Sequence, residues 1–113
     1  MALRFVPDRE AQAKLVDLLG GGGVDDSVKQ AAASALSYRE PTVGLSQTLQ
    51  SQFSAQSSEQ VRRELIKAVY ENRFVDPSVN EWLKGVASRD QSPEVRKLAK
   101  DYATMHATEG DSL

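Results

Sequence analysis

Pro93-Glu94-Val95-Arg96-Lys97-Leu98-Ala99 decides the fold, because its central pattern recurs twice upstream at nearly constant spacing. The earlier copies read Ser27-Val28-Lys29 and Gln60-Val61-Arg62, and the three valines are separated by steps of 33 and 34 residues. Pro7, Pro41 and Pro77 precede them at steps of 34 and 36. Self-similarity at such a period marks stacked units, each exposing an apolar face that its neighbour buries.

Aligned on the valines, small or apolar residues share offsets. Four residues on stand Ala32, Leu65 and Ala99; seven on, Ala35, Ala68 and Tyr102; eight on, Leu36, Val69 and Ala103. That spacing is one side of an α-helix. Leu15, Leu49 and Leu83 lie 13, 12 and 12 residues before the valine and anchor a first helix in each unit.

Punctuation agrees with this division. Residues 7–19 carry Leu15, Val16, Leu18 and Leu19, and glycines 20–23 end the helix because their backbone entropy opposes it. Residues 25–38 place Val28, Ala31, Ala32, Ala35 and Leu36 on one face, behind Asp25, Asp26 and Ser27 as N-terminal caps. Glu40-Pro41-Thr42 opens the second unit, whose stripe is Leu45, Leu49 and Phe53. After a polar connector over 54–58, Ser57 and Gln60 fit a capping box before Val61, Leu65, Ala68 and Val69, in a helix ending near Asn72. Asp76-Pro77 and Ser92-Pro93-Glu94 are cap-then-proline starts. They precede Val79, Leu83 and Val86, with Trp82 beside them, and then Val95, Leu98, Ala99, Tyr102 and Ala103. No sustained two-residue alternation predicts a sheet. The expectation is one all-α domain over 1–113, in units of about 7–40, 41–75 and 76–107, with a frayed polar tail at 108–113.

Composition sets wider bounds. Hydrophobic residues at 40% and charged residues at 27% are ordinary for a globular chain. Fourteen basic against 16 acidic side chains leave a net charge of −2, which disfavours wholesale wrapping of nucleic acid or an anionic membrane. With no Cys and one His, neither a disulfide nor the usual zinc site is available, and no cofactor or metal is expected. No stretch reads as a membrane span. A cytoplasmic monomer is the default expectation, although neither compartment nor oligomeric state is marked in the sequence. The lead-in Arg4-Phe5-Val6 reads either as the end of a preceding unit or as a cap on the first.

Taken together, Pro93-Glu94-Val95-Arg96-Lys97-Leu98-Ala99 and Asp25-Asp26-Ser27-Val28-Lys29 resemble HEAT repeats, specifically the short bacterial HEAT-like repeats of the PBS-lyase type. The resemblance covers residues 7–107. It implies three stacked antiparallel helix pairs in a short right-handed α-solenoid, with the second helices lining a concave, partner-binding side. It also implies that the Lys or Arg after each valine (Lys29, Arg62, Arg96) bonds an acid of a neighbouring repeat. The four-glycine turn, Glu64, Lys100 and the short period depart from the usual pattern. Tetratricopeptide and ankyrin signatures are missing, and a nonrepetitive helical bundle is the alternative fold.

Catalytic signals fail on inspection. His106 has no nucleophile and orienting partner at a recognisable spacing. The glycine run follows no strand and precedes no Gly-Lys-Ser/Thr, so it is no phosphate loop. Asp25 and Asp26 lack calcium-loop spacing. The chain therefore reads as a noncatalytic interaction or scaffold module.

Lys29, Arg62, Arg63, Lys67, Arg96, Lys97 and Lys100 on the second helices are the candidate binding residues, a basic ridge suited to an acidic peptide or small domain. The competing reading is a solvated or inter-repeat charge set, with Glu64–Lys67 and Lys97–Asp101 paired along their helices. Nucleic acid on the same ridge is the alternative ligand. A bilin-lyase type of enzyme is weaker still, without a Cys or pocket signature. Trp82, Tyr70 and Phe74 are expected beneath the junction of the second and third units; an outward Trp82 would instead be an aromatic anchor.

Overall fold

The computed structural model describes residues 8–112. Pro7, the Arg4-Phe5-Val6 lead-in and Leu113 lie outside the described residues. Six helices follow in chain order: α1 (Asp8–Gly20), α2 (Asp26–Leu36), α3 (Val43–Ala55), α4 (Glu59–Tyr70), α5 (Ser78–Arg89) and α6 (Pro93–Ser112). No strand occurs among the described residues. Short connections make α1 pack on α2, α3 on α4 and α5 on α6. Between pairs, α4 touches both α2 and α6, and α1 touches α3. The Cα envelope measures 42 × 34 × 17 Å. Its thin dimension is close to two helix layers, since packed axes lie about 8–10 Å apart and each backbone cylinder adds about 2.3 Å per side.

Local chemistry explains where the helices begin. Thr42 Oγ1 accepts the Leu45 amide at 3.0 Å, and Ser92 Oγ accepts the Val95 amide at 3.3 Å. Asp76 Oδ1 accepts both the Ser78 amide (2.9 Å) and the Ser78 hydroxyl (2.8 Å). Pro77 sits at the mouth of α5, where its missing N–H leaves nothing unpaired. For α4 the expected Ser57–Gln60 capping box does not form: Ser58, one residue later, has the extended backbone of the cap and accepts the Val61 amide at 3.3 Å. Ser57 instead gives its carbonyl to Arg62. Asp25 occupies the cap of α2 without a side-chain bond, so its carboxylate favours the helix through the dipole alone. At the other end, α6 runs past the expected boundary at 107 to Ser112, and the Thr108 hydroxyl donates to the Thr104 carbonyl at 3.1 Å.

The core is a continuous cluster running from Leu19 to Ala99. Leu45, Leu49 and Phe53 of α3 and Val79, Leu83 and Val86 of α5 are buried as the stripes predict. Central α4 buries Val61, Leu65, Ile66, Ala68, Val69 and Tyr70, more than one stripe, because helices cover it on several sides. Tyr70 stacks on Tyr102 of α6 with ring centroids 4.4 Å apart. Two expectations fail in the first unit. Val28 is 41% exposed, whereas Val61 and Val95 are 0% exposed. Ala31 is exposed and Ala33 buried in its place. Among the described helices, α2 packs only on α1 and α4, so no helix covers the side that carries Val28.

Polar side chains tie helices together within and between the units. Asn72 Nδ2 donates to the Ala68 carbonyl (3.0 Å), and its Oδ1 accepts the Thr42 amide (2.9 Å), joining the end of α4 to the start of α3. Gln56 Nε2 donates to the Leu19 carbonyl at 2.8 Å, linking the second unit to the first. Gln50 Nε2 reaches Asp76 Oδ2 and Ser78 Oγ at 3.4 and 3.2 Å, linking α3 to the start of α5. Burial pushes the Asp76 carboxyl up, but hydrogen bonds from Ser46 and Ser78 outweigh it and hold the group below its ordinary 3.8.

Candidate functional site

Successive residues on a helix diverge by about 100°, so Arg62 and Arg63 cannot share a face. Arg62 points inward and is 5% exposed. Its Nε and Nη2 fork the Asp90 carboxylate at 3.1 and 3.3 Å. Its Nη1 donates to the carbonyls of Ser57 (2.7 Å) and Gln56 (3.4 Å). Asp90, in the α5–α6 turn, also accepts the Ser92 amide at 2.9 Å. Arg62 therefore leaves the expected ridge and instead fastens the second unit to the third. Arg96 repeats half of the arrangement, its Nη1 donating to the Asp90 carbonyl at 2.7 Å.

The remaining ridge residues divide further. Arg63 and Lys67 lie on the outward side of α4, with Gln60, Glu64 and Glu71. Lys97 holds the position on α6 that corresponds to Arg63. Lys67 pairs with Glu64 at 3.6 Å and Lys97 with Asp101 at 3.1 Å, both within a single helix. Lys29 is partly buried, and Lys100 is exposed at the position on α6 that corresponds to buried Ile66 of α4. The seven cations thus do not form one row: Arg62 is buried, Arg96 is bound to a turn, and acids alternate with the rest.

Arg63 stands apart. Among the described residues it makes no ion pair, and with Gln30, Gln60, Glu64 and Lys67 it lines a polar cleft of about 240 Å³ between α2 and α4. Nearby Tyr102 titrates above the usual phenol value of 10.0. Burial is the main cause; Lys67 opposes the shift, and Glu71 and Glu64 add to it. The outward surface therefore carries mixed charge around a guanidinium with no ion pair among the described residues.

The aromatics take three different settings. Trp82 is partly buried, meeting Phe53 edge to face at 5.1 Å. It also lines a second cleft of about 270 Å³ with Phe53, Gly85 and Arg89. A Cβ on Gly85 would fall 2.6 Å from Arg89 Nη2, a contact that the exposed, flexible Arg89 side chain would relieve by a small shift. Tyr70 is buried as expected. Phe74 is 65% exposed rather than packed beneath the junction, with the Arg73 guanidinium 4.4 Å above its ring and the His106 ring at 5.7 Å. His106 is thus engaged with an aromatic edge at the α4–α6 seam. Among the described residues, no group of three or more His, Cys, Asp or Glu side chains is arranged to hold a metal ion, and no helix is long and apolar enough to cross a membrane.

Sequence reasoning missed Gln56 and Asp90, polar residues that fix how units meet, and Asn72, which ties the second unit to itself. Their only signal was position: Gln56 and Asp90 each stand five residues before a repeat valine. Comparison of the chain with protein-family models, with curated proteins and with solved structures finds no match.

Proposed function

We propose that this chain is a noncatalytic protein-interaction module, built as a short right-handed α-solenoid of the HEAT-like kind, which receives an acidic segment of a partner protein on the outward face of α4. The observation that carries the reading is Arg63, a guanidinium with no ion pair among the described residues, in a polar cleft between two second helices. A planar fork of donors suits a carboxylate, and the amides of Gln30 and Gln60 supply further hydrogen bonds. The repeat spacing and the row α2–α4–α6 support the solenoid. Lys67 and Lys97 flank the site at the expense of their intrahelical pairs, each of which contributes only about 0.3–0.5 kcal/mol in solvent. Lys29, Arg62, Arg96 and Lys100 fall outside the contact. Phosphate backbones are disfavoured, because Glu64, Glu71 and Asp101 stand among the same cations.

The test is fluorescence anisotropy with a labelled hexaglutamate peptide, alongside a short DNA duplex, at low and moderate salt. Arg63→Glu should weaken peptide binding about tenfold or more without changing helical content. Equal peptide binding by Arg63→Glu refutes the site, and duplex binding stronger than peptide binding refutes the partner class.

A further inference from the structure

Equivalent positions in the repeat make the two ends of the helix row chemically different. The Tyr70–Tyr102 stack shows that the side of α4 bearing Arg62, Ile66 and Tyr70 faces the following unit. Thirty-four residues on, those positions become Arg96, Lys100 and Thr104 of α6. Ile66 and Tyr70 are buried, whereas Lys100 and Thr104 are exposed. Roughly half a turn round α4, on the side toward α2, lie buried Val61 and Ala68. Their counterparts on α2 are Val28, 41% exposed, and Ala35, only partly buried.

One end of the row, the leading side of α2, thus presents Val28, Ala31 and Ala35 with no charge among them. The exposed acid Asp25 stands at the start of α2 and makes no cap bond. The opposite end, the trailing side of α6, has the complementary character. Ala87, Ala103 and Ala107 line a groove of about 490 Å³ between α5 and α6, together with Lys84 and Lys100. Arg96 lies one turn before Lys100. Its Nη1 holds a turn carbonyl as Arg62 does, but the edge with which Arg62 forks Asp90 meets no acid among the described residues.

We propose that a second copy of this chain docks head to tail, the leading side of its α2 on the trailing side of α6, with Arg96 reaching the second copy's Asp25, two residues beyond Gly23, the position that matches Asp90 in the repeat. Lysine stems cover the alanine-lined groove while their ammonium groups stay in solvent at its rim. The contact joins two different surfaces, so it propagates into open stacks rather than closing as a twofold dimer. It uses none of the residues proposed to bind the acidic partner, and the two readings stand or fall separately.

The test is sedimentation velocity of the full chain across a wide concentration range. Wild type should show a mass that grows with concentration. Asp25→Arg, which loses no hydrogen bond, and Arg96→Glu should each move association to roughly tenfold higher concentration or beyond. Mixing the two variants at equal amounts should restore it, because each supplies the charge the other now needs. Lys100→Glu, exposed and unbonded, replaces Arg96→Glu if that variant loses helical content. Arg63→Glu should assemble as wild type does. A wild type that stays monomeric throughout, reversals without effect, or a mixture that fails to recover each overturn the proposal.

Discussion

Arg62→Met should be strongly destabilising, because it deletes the cation from a nearly buried ion pair. Arg62 and Asp90 side chains are 6% and 8% exposed, and the guanidinium makes four hydrogen bonds to three residues. Methionine fills much of the volume but leaves the Asp90 carboxylate with the Ser92 amide as its one remaining hydrogen bond. Removing one partner of a buried pair costs about 3–5 kcal/mol, a large share of the roughly 5–15 kcal/mol that holds a domain folded. At about 4 °C per kcal/mol for a chain of this size, the melting temperature should fall by about 12–20 °C. Arg62→Lys should lose less, because it keeps a cation beside Asp90 while giving up the fork. Urea denaturation of Arg62→Met, Asp90→Asn and the double variant measures the coupling directly. The double variant should cost less than the sum of the singles by more than about 1 kcal/mol. A loss below about 1 kcal/mol for Arg62→Met, the value of an exposed ion pair, would refute the argument that burial controls this contact.

Three further outcomes follow from the same geometry. Val61→Ala should cost about 2 kcal/mol through two lost methyl groups and a residual cavity, whereas Val28→Ala should cost well under about 1 kcal/mol; thermal melts of the two compare the units directly. Ser58→Ala should cost about 1 kcal/mol in urea titrations and exceed Ser57→Ala, because only Ser58 caps α4 through its hydroxyl. The folded-state pKa of Asp76 is depressed, so its stabilisation is fully present above the unfolded value of about 3.9 and is lost as pH falls through the lower folded value. Asp76→Asn should therefore flatten the acid limb of stability measured from about pH 6 down to about pH 2.

Helix positions and most of the core were legible because apolar spacing records which side of a helix is covered. Leu45, Leu49 and Phe53, or Val79, Leu83 and Val86, need no knowledge of neighbours to be assigned. What covers a given side is a tertiary fact. Val28 and Val61 occupy matching positions in similar helices, yet one is exposed and the other buried, since only α4 has a second helix on each flank. The basic ridge failed for a related reason: grouping cations by proximity in sequence put Arg62 beside Arg63, which the helical turn sends in different directions. Arg63 was legible as a charge, but its lack of an ion pair among the described residues was not. Asn72 and Gln56 were invisible because an amide that satisfies buried carbonyls and amides looks like any other polar residue until the backbone around it is in place.

The links between units differ in kind, and this bears on how the chain melts. The proposed solenoid would melt as a one-dimensional chain whose cooperativity depends on nearest-neighbour coupling. The first junction is the more extensively packed, α2 on α4 and α1 on α3, and carries a neutral amide bond, Gln56 to the Leu19 carbonyl; at the second, α5 and α6 meet α4 less extensively and the Arg62–Asp90 fork crosses the joint. Substitution at the fork should therefore loosen α5 and α6 first, while α1 through α4 persist as one cooperative block.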